Sequence, residues 1–461
     1  MPEPSSALKT DHYELTMLAA ARRDGVADRR AVFEVFARRL PAGRRYGVVA
    51  GLGRLLDELE RFRFGDEELA FLERAGFLDD GTLEHLAGYR FGGEILAYRE
   101  GELYFPGSPV LAVEATFGEA VLLETLVLSV LNHDSAVASA AARMVDVAAG
   151  RTLIEMGSRR AHEEAAVAAA RVAHLMGFDA TSNLEAGRRY GVPTAGTAAH
   201  AFTLAHPDER SAFASQLDAL GLGTTLLVDT FDEAEAIRTG VELARARGAA
   251  GPGAIRLDSG DLAEHARAAR ALLDELGATG TRIVVSSDLD EYLIEDLIDR
   301  DAPVDAFGVG TKLVTGSGAP TAGFVYKLVA IADDDDPDSP LRSVAKRSTA
   351  KITHGGRKRA WRLLDDEGLA CGEVVEVVDV PFRHHEEASS PDRRDLQVLV
   401  VAGGERRHRP EPEEIRAHHR RALDELPTRH RQILAGDPAW TVRHERTTDD
   451  RPTTQTQEEP R

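Results

Sequence analysis

The chain has 461 residues, 43% of them hydrophobic and 29% charged, and a formal net charge of −21. That length supports a large core and two to three domains, and the ordinary composition excludes a disordered chain, a fibrous class and a single miniature domain. The negative charge repels nucleic acid and anionic membranes at long range, so any phosphate site must be a local concentration of donors.

A single cysteine, Cys371, permits no intramolecular disulfide, which fits a reducing compartment. The first residues, MPEPSSALKTDHYELTM, lack the basic region and apolar stretch of a signal peptide. No later run reaches the roughly 18 apolar residues of a membrane span. The expected location is the cytoplasm, with neither a membrane nor a nucleic acid as partner.

In chain order, residues 1–114 mix helical periodicity (Leu52, Leu55, Leu56, Leu59) with strand-like AVFEVFA, FGGEILAY and GELYF. They read as a separate α+β unit. A long apolar helical stretch follows over 115–142, interrupted by Glu124, Asn132, His133 and Asp134, which suits a buried helix rather than a membrane span. The pattern then changes to short apolar strands, each ending in polar or glycine residues and followed by an Ala-rich or Leu-rich helix. The strand ends are TLIEMGSRR, FDATSN, VPTAGTAAH, TTLLVDTFD, AIRLDSGDL, RIVVSSDLD and VDAFGVGT, spread over 152–311. From Asp229 to Asp258 to Asp288 the steps are 29 and 30 residues, about one βα repeat. Seven such units predict a closed or nearly closed parallel barrel whose strand-end loops open on one ligand-binding face. The fold class is α/β: an irregular, TIM-like parallel (β/α) barrel over 115–329 with a second α+β domain. That second domain joins 1–114 to 330–403, where DDDDPDSP is a solvated loop and VVEVVDV and LQVLVVA are strands. A helical extension over 404–445 and a disordered tail over 446–461 complete the expectation.

Several strand ends carry chemistry. GVGT at 308–311 brings Gly308, Gly310 and Thr311 to a strand end, where backbone N–H groups can approach a phosphate; a glycine turn without a ligand is the alternative. Ser286, Ser287 and Asp288 share that face. In IRLDSGDL, Arg256 is placed to hold an anion while Asp258 and Asp261 position a sugar hydroxyl or Mg²⁺; helix capping by Asp258 or Ser259 is the competing reading. No His/Cys cluster with zinc spacing occurs. GSRRAHEE offers Arg159 and Arg160 between strand and helix, either for an anion or for a surface ion pair. TAGTAAH ends in His200, and VDTFD supplies Asp229. A lone histidine is usually structural, but a carboxylate that fixes its tautomer makes His200 a candidate nucleophile or general base. His133, His162, His354, His384 and His385 have no comparable setting in the sequence.

These strings, with TDHYELTM, FEVFARRLPAGRRYGVVAGL, SNLEAGRRYGVPTAGTAAHAF, SSDLDE and FGVGTKLVT, stand in one order from about residue 8 to 360 and resemble the nicotinate phosphoribosyltransferase family. The resemblance implies that nicotinate, phosphoribosyl diphosphate, ATP and water give nicotinate mononucleotide, diphosphate, ADP and phosphate, with Mg²⁺. It implies a homodimer with active sites at the interface and Tyr13 stacking on the pyridine ring from the neighbouring subunit. His200 matches the histidine phosphorylated by ATP, with Asp229 orienting it. Thr197, Arg256 and Arg159 match contacts to nicotinate, and Asp258 and Asp261 face ribose and metal. Ser287, Gly308, Gly310 and Thr311 match the 5′-phosphate pocket. Lys327 and Lys346 match basic residues near the phosphates, while Arg347, Lys351 and Lys358 are expected to be solvated. Met156 stands where many relatives carry an aromatic residue, and a thioether also packs on a π face. Ser182 and Asn183 stand where nicotinamide-using relatives have an acidic residue, which favours nicotinate. The competing assignments are a nicotinamide or quinolinate phosphoribosyltransferase and a non-catalytic nucleotide-binding barrel.

Overall fold

Six of the seven expected strand segments form one parallel sheet. The structure, a computed structural model, describes residues 4–345 and 354–446. Across the sheet the strands run Ala180–Thr181, Thr152–Glu155, Ala306–Val309, Arg282–Val285, Ala254–Leu257 and Thr225–Leu227. The seventh segment, at 192–200, contributes a single bridge, Thr194 to Thr181. Pro193 lacks an N–H, so the ladder cannot extend through it.

That spatial order is the chain order wrapped into a ring, with a seam between the Thr194 segment and Thr225–Leu227. No ladder crosses the seam among the described residues, so the sheet is open where a closed or nearly closed barrel was expected. The strands are short and apolar because both faces are covered: Ile255, Leu257, Val285, Phe307 and Val309 are buried on one face and Ala254, Val284 and Ala306 on the other. The helices that follow start at aspartate caps, with Asp232, Asp261 and Asp290 each accepting backbone N–H groups of the first turn. Glycine stops are equally clear. The helix Glu163–Met176 ends at Gly177, whose φ of 126° is open to glycine at no steric cost.

The chain divides into two compact units, one of Met1–Asn132, Ala322–His430 and Ala435–Arg461 and one of His133–Thr321 with Arg431–Leu434. Residues 115–132, expected with the barrel, cluster with the first unit. Asn132 shows why: its side-chain oxygen accepts from the Phe324 N–H at 2.8 Å, joining it to the strand Phe324–Ala332. The 404–430 part of the expected separate extension, including the helix Pro412–Glu425, also clusters with the first unit.

The first unit is built on a seven-stranded antiparallel sheet ordered Leu341–Ser343, Phe324–Ala332, Arg30–Ala37, Leu111–Thr116, Glu94–Tyr98, Gln397–Ala402 and Glu405–Arg406. LQVLVVA therefore completes the N-terminal sheet as expected. VVEVVDV also falls within the first unit, but in a second, four-stranded sheet with Lys358–Leu364, Arg393–Asp395 and Arg443–Arg446. Lys358, expected to be solvated, is buried there, its ammonium 2.7 Å from Glu34. Lys346, Arg347, Lys351 and the tail beyond Arg446 lie outside the described residues. Among the described residues no helix is long and apolar enough to cross a membrane.

Candidate active site

The loops that leave the parallel strands gather around a cavity of about 260 Å³. Met156, Arg159 and Arg160 follow the strand Thr152–Glu155; Arg256 and Asp258 straddle the end of Ala254–Leu257; Ser286, Ser287 and Asp288 follow Arg282–Val285; Gly308, Gly310 and Thr311 close Ala306–Val309. Alternation along each strand does this. Ile255 and Leu257 face the core while Arg256, between them, faces the other way.

Arg256 is the centre of the polar wall. Its guanidinium donates to the Thr197 hydroxyl and lies 3.7 Å from an Asp258 oxygen, while its Nε is solvent-excluded without a hydrogen-bond partner in the protein. Burial, and to a lesser degree neighbouring Arg159, pull its pKa down against Asp258 and Asp229, yet a guanidinium stays charged. Asp258 accepts from the Ser286 hydroxyl at 2.6 Å. Beyond it, Ser287 and Asp288 hold φ values of 110° and 45° without being glycines, a strained turn of the kind found at binding sites. Gly308 makes room for Met156: a Cβ there would lie 2.9 Å from the thioether sulfur.

His200 opens the short helix His200–Leu204. Its Nδ1 lies 3.2 Å from the Thr230 hydroxyl, and its Nε2 lies 3.9 Å from Asp229 Oδ1, beyond hydrogen-bond reach. Thr230, not Asp229, therefore makes the contact that orients the ring, contrary to expectation. Asp229 Oδ2 accepts from the Asp258 N–H at 3.0 Å and from the Ser259 hydroxyl at 3.1 Å, which fixes the carboxylate with its Oδ1 short of the ring. Its Oδ1, solvent-excluded and unpartnered, still points a charge at the imidazole. Through that one carboxylate the histidine is linked to the cavity's Asp258 loop.

Some expected residues are not brought into this cluster. Asp261 is the cap of the helix Leu262–Glu275, accepting from Ala263 N and Glu264 N at 3.1 Å, and it pairs with Arg300; these contacts, led by the Glu264 N–H, hold its carboxyl below the usual range. The capping foreseen for Asp258 or Ser259 thus falls to Asp261. Tyr13 and Lys327 belong to the first unit. Tyr13 is half-exposed, its phenol pushed up to about 12 by burial and then by Glu124 and Glu14, and Lys327 lies 3.3 Å from Glu124.

Three features escaped the sequence reading. Thr230 sits inside VDTFD but carries no signal of its own. Glu155 is buried one residue before Met156, accepts from the Gly157 N–H and the Thr181 hydroxyl, and is raised by burial. His133 does have a carboxylate, Asp134, 2.8 Å from its Nδ1, although no neighbour of the site accompanies it. A carboxylate adjacent in sequence was the available signal.

Two family descriptions match the chain: the nicotinate phosphoribosyltransferase (NAPRTase) N-terminal domain over residues 8–132, and the nicotinate phosphoribosyltransferase (NAPRTase) family over residues 152–367. The chain belongs to the nicotinate phosphoribosyltransferase family. The nicotinate phosphoribosyltransferase pncB1 of Mycobacterium tuberculosis is 57% identical over 406 residues, 86% of each chain. The human nicotinate phosphoribosyltransferase is 32% identical over 446 residues, covering 82% of this chain and 81% of its own. The crystal structure of human nicotinic acid phosphoribosyltransferase superposes with a TM-score of 0.81 at 27% identity, over 94% of this chain and 97% of that one. Every cavity residue named above falls inside the 152–367 family match, and Tyr13 falls inside the N-terminal match.

Proposed function

We propose that this family member transfers the phosphoribosyl group of phosphoribosyl diphosphate to nicotinate, forming nicotinate mononucleotide and diphosphate in NAD salvage, and that ATP drives the transfer by phosphorylating His200. The observation that carries this reading is the junction of Arg256, Asp258 and the Ser287/Gly308/Gly310/Thr311 wall in one cavity, joined through Asp229 to His200. Arg256, steadied by Thr197, and Arg159 suit the nicotinate carboxylate, since a guanidinium matches a carboxylate in two parallel bonds. The glycine wall with Ser287 and Thr311 suits a 5′-phosphate.

In the coupling step a neutral His200 nitrogen attacks the γ-phosphorus, ADP leaves, and water later takes the phosphoryl group as phosphate. The buried Asp229 charge stabilises the ring while it carries that group. At the anomeric carbon an oxocarbenium-like centre develops as diphosphate departs, and Asp258 lies where its charge favours that centre. Mg²⁺ commonly takes one or two protein carboxylates and fills its shell with phosphate oxygens and water, so Asp258 and Asp288 fit it better than Asp261, whose oxygens are engaged. Bound there, it would neutralise the leaving diphosphate. No group of three carboxylate, histidine or cysteine ligands occurs among the described residues, in keeping with a metal held largely by substrate.

The same reading makes the enzyme a cytoplasmic homodimer in which Tyr13, neutral at ordinary pH, stacks on the ring from the neighbouring subunit, and in which Lys327 and Lys346 serve the phosphates. The ring-like strand order supports an irregular TIM-like barrel with its seam at the Thr194 segment.

The test is a paired assay of nicotinate and nicotinamide with phosphoribosyl diphosphate, with and without ATP. Nicotinate alone should be consumed, faster or at lower concentration with ATP; equal turnover of both bases overturns the substrate assignment. Labelled ATP should leave an acid-labile, base-stable phosphoryl group. If that label persists in His200→Ala, the phosphohistidine assignment is wrong.

A further inference from the structure

The first unit contains a second concave site, unrelated to the residues above. It is a cavity of about 620 Å³, within the range of small-molecule pockets, between the turn after the strand Glu94–Tyr98 and the approach to the helix Pro412–Glu425. Its wall carries Arg99, Arg409 and Arg421 together with His408 and His418, against two acids, Glu100 and Glu414.

Both acids are tied to backbone N–H groups. Glu100 is buried and accepts the Gly51 N–H at 2.7 Å and the Gly53 N–H at 3.3 Å. Glu414 reaches back to the Glu411 N–H at 3.1 Å in a capping box. Two of the arginines are held by carboxylates of the exposed surface: Arg99 bonds both oxygens of Glu387 at 2.7 and 2.8 Å, and Arg409 bonds Glu60 at 2.8 Å, whereas His418 lies 3.1 Å from the buried Glu102. Exposed pairs of this kind are worth little and exchange readily. Arg421 has no ion-pair partner among the described residues. Three arginines, two of them paired with exposed carboxylates and the third with none, converge with two histidines on one hollow of a chain of net charge −21.

We infer that this cavity binds a polyphosphate anion at a site separate from the catalytic one, with Arg99, Arg409 and Arg421 as its principal contacts. The volume accommodates either a nucleoside triphosphate or inorganic triphosphate, and three guanidinium groups can bond several phosphate oxygens in the forked geometry that singly charged anions do not fill. His408 adds a built-in reporter. Burial, then Arg99 and Arg406, hold its imidazole below the usual range against the weaker pull of Glu387 and Glu100, so an anion beside it draws a proton onto the ring.

The experiment uses the full chain with inorganic triphosphate as probe, read by amide hydrogen exchange over residues 405–425 and by calorimetry in buffers of different ionisation enthalpy. Triphosphate should slow exchange in that segment and take up protons near neutral pH. Arg99→Glu/Arg421→Glu should lose affinity by about tenfold or more and lose that protection, with turnover of nicotinate unchanged. His408→Gln should keep the protection and lose the proton uptake at this site. An ATP arm separates the two sources: tighter binding than triphosphate assigns the site to a nucleotide, and weaker binding to the inorganic anion. Protection confined to residues 156–311, or equal protection of 405–425 in the double variant, overturns the inference.

Discussion

A set of buried ion pairs in the first unit and the strand-end charges of the second use charge in opposite ways. In the first, three buried acids are matched: Lys358 meets Glu34 at 2.7 Å with both side chains almost fully covered, Arg357 grips Glu114 with bonds of 2.9 and 2.6 Å, and Glu102 is shared by Arg394 and Arg362. In the second, the strand-end charges are left part-satisfied. Arg256 keeps an unpartnered Nε, Asp229 an unpartnered Oδ1, and the Arg256–Asp258 approach stops at 3.7 Å. A buried charge with a full set of partners specifies packing, whereas one held short of its partners retains bonding capacity for a ligand. Basic residues alone do not distinguish the two; their partners do.

The largest effect should come from breaking a matched pair. Lys358→Ala strands the Glu34 carboxylate and should cost about 3–5 kcal/mol in denaturant unfolding, while Glu34→Leu/Lys358→Met should recover most of that loss. Turnover per folded molecule should not change; a large fall in turnover would remove the distinction between the units. Arg256→Lys should do the reverse. It keeps the charge but not the fork, so kcat/KM for nicotinate should fall by about 10²-fold with the melting temperature held.

Gly157 sharpens the contrast at the site's backbone. An added Cβ would lie 2.3 Å from Val314 Cγ1, so Gly157→Ala should cost about 1–3 kcal/mol and lower activity with it, both readable from one thermal series. The smallest effect concerns Glu209, whose carboxyl is pushed up to about 7 by burial and then by Asp232 and Asp229. Its folded pKa lies above the ordinary 4.5, so the native state holds the proton longer and stability is lost as pH rises from 4.5 through 7. Glu209→Gln should therefore melt slightly higher than the parent above pH 7 and match it below pH 4.5. A constant offset at every pH would assign the effect to packing instead.

Much of the site was legible because βα repeats bring chemistry to strand ends at regular spacing. Arg256, Asp258, Ser287, Gly308, Gly310 and Thr311 follow from that rhythm and meet in one cavity. Asp261 did not follow, because a carboxylate four residues past a strand end can serve a ligand or cap the next helix, and only the position of the Ala263 and Glu264 N–H groups decides between them. Lys358 was misjudged for a related reason: its partner Glu34 lies 324 residues away.

Local periodicity by itself determined the strand–helix alternation, the aspartate and glycine helix ends, and the identity of the polar strand-end residues, since each depends on neighbours within a turn or a pleat. Tertiary structure alone decided that the ring of strands stays open beside Thr194, that Thr230 rather than Asp229 holds His200, and which cations are spent on carboxylates. Those outcomes depend on pairings across tens to hundreds of residues, where a hydrogen bond or a charge has several possible partners and packing selects one.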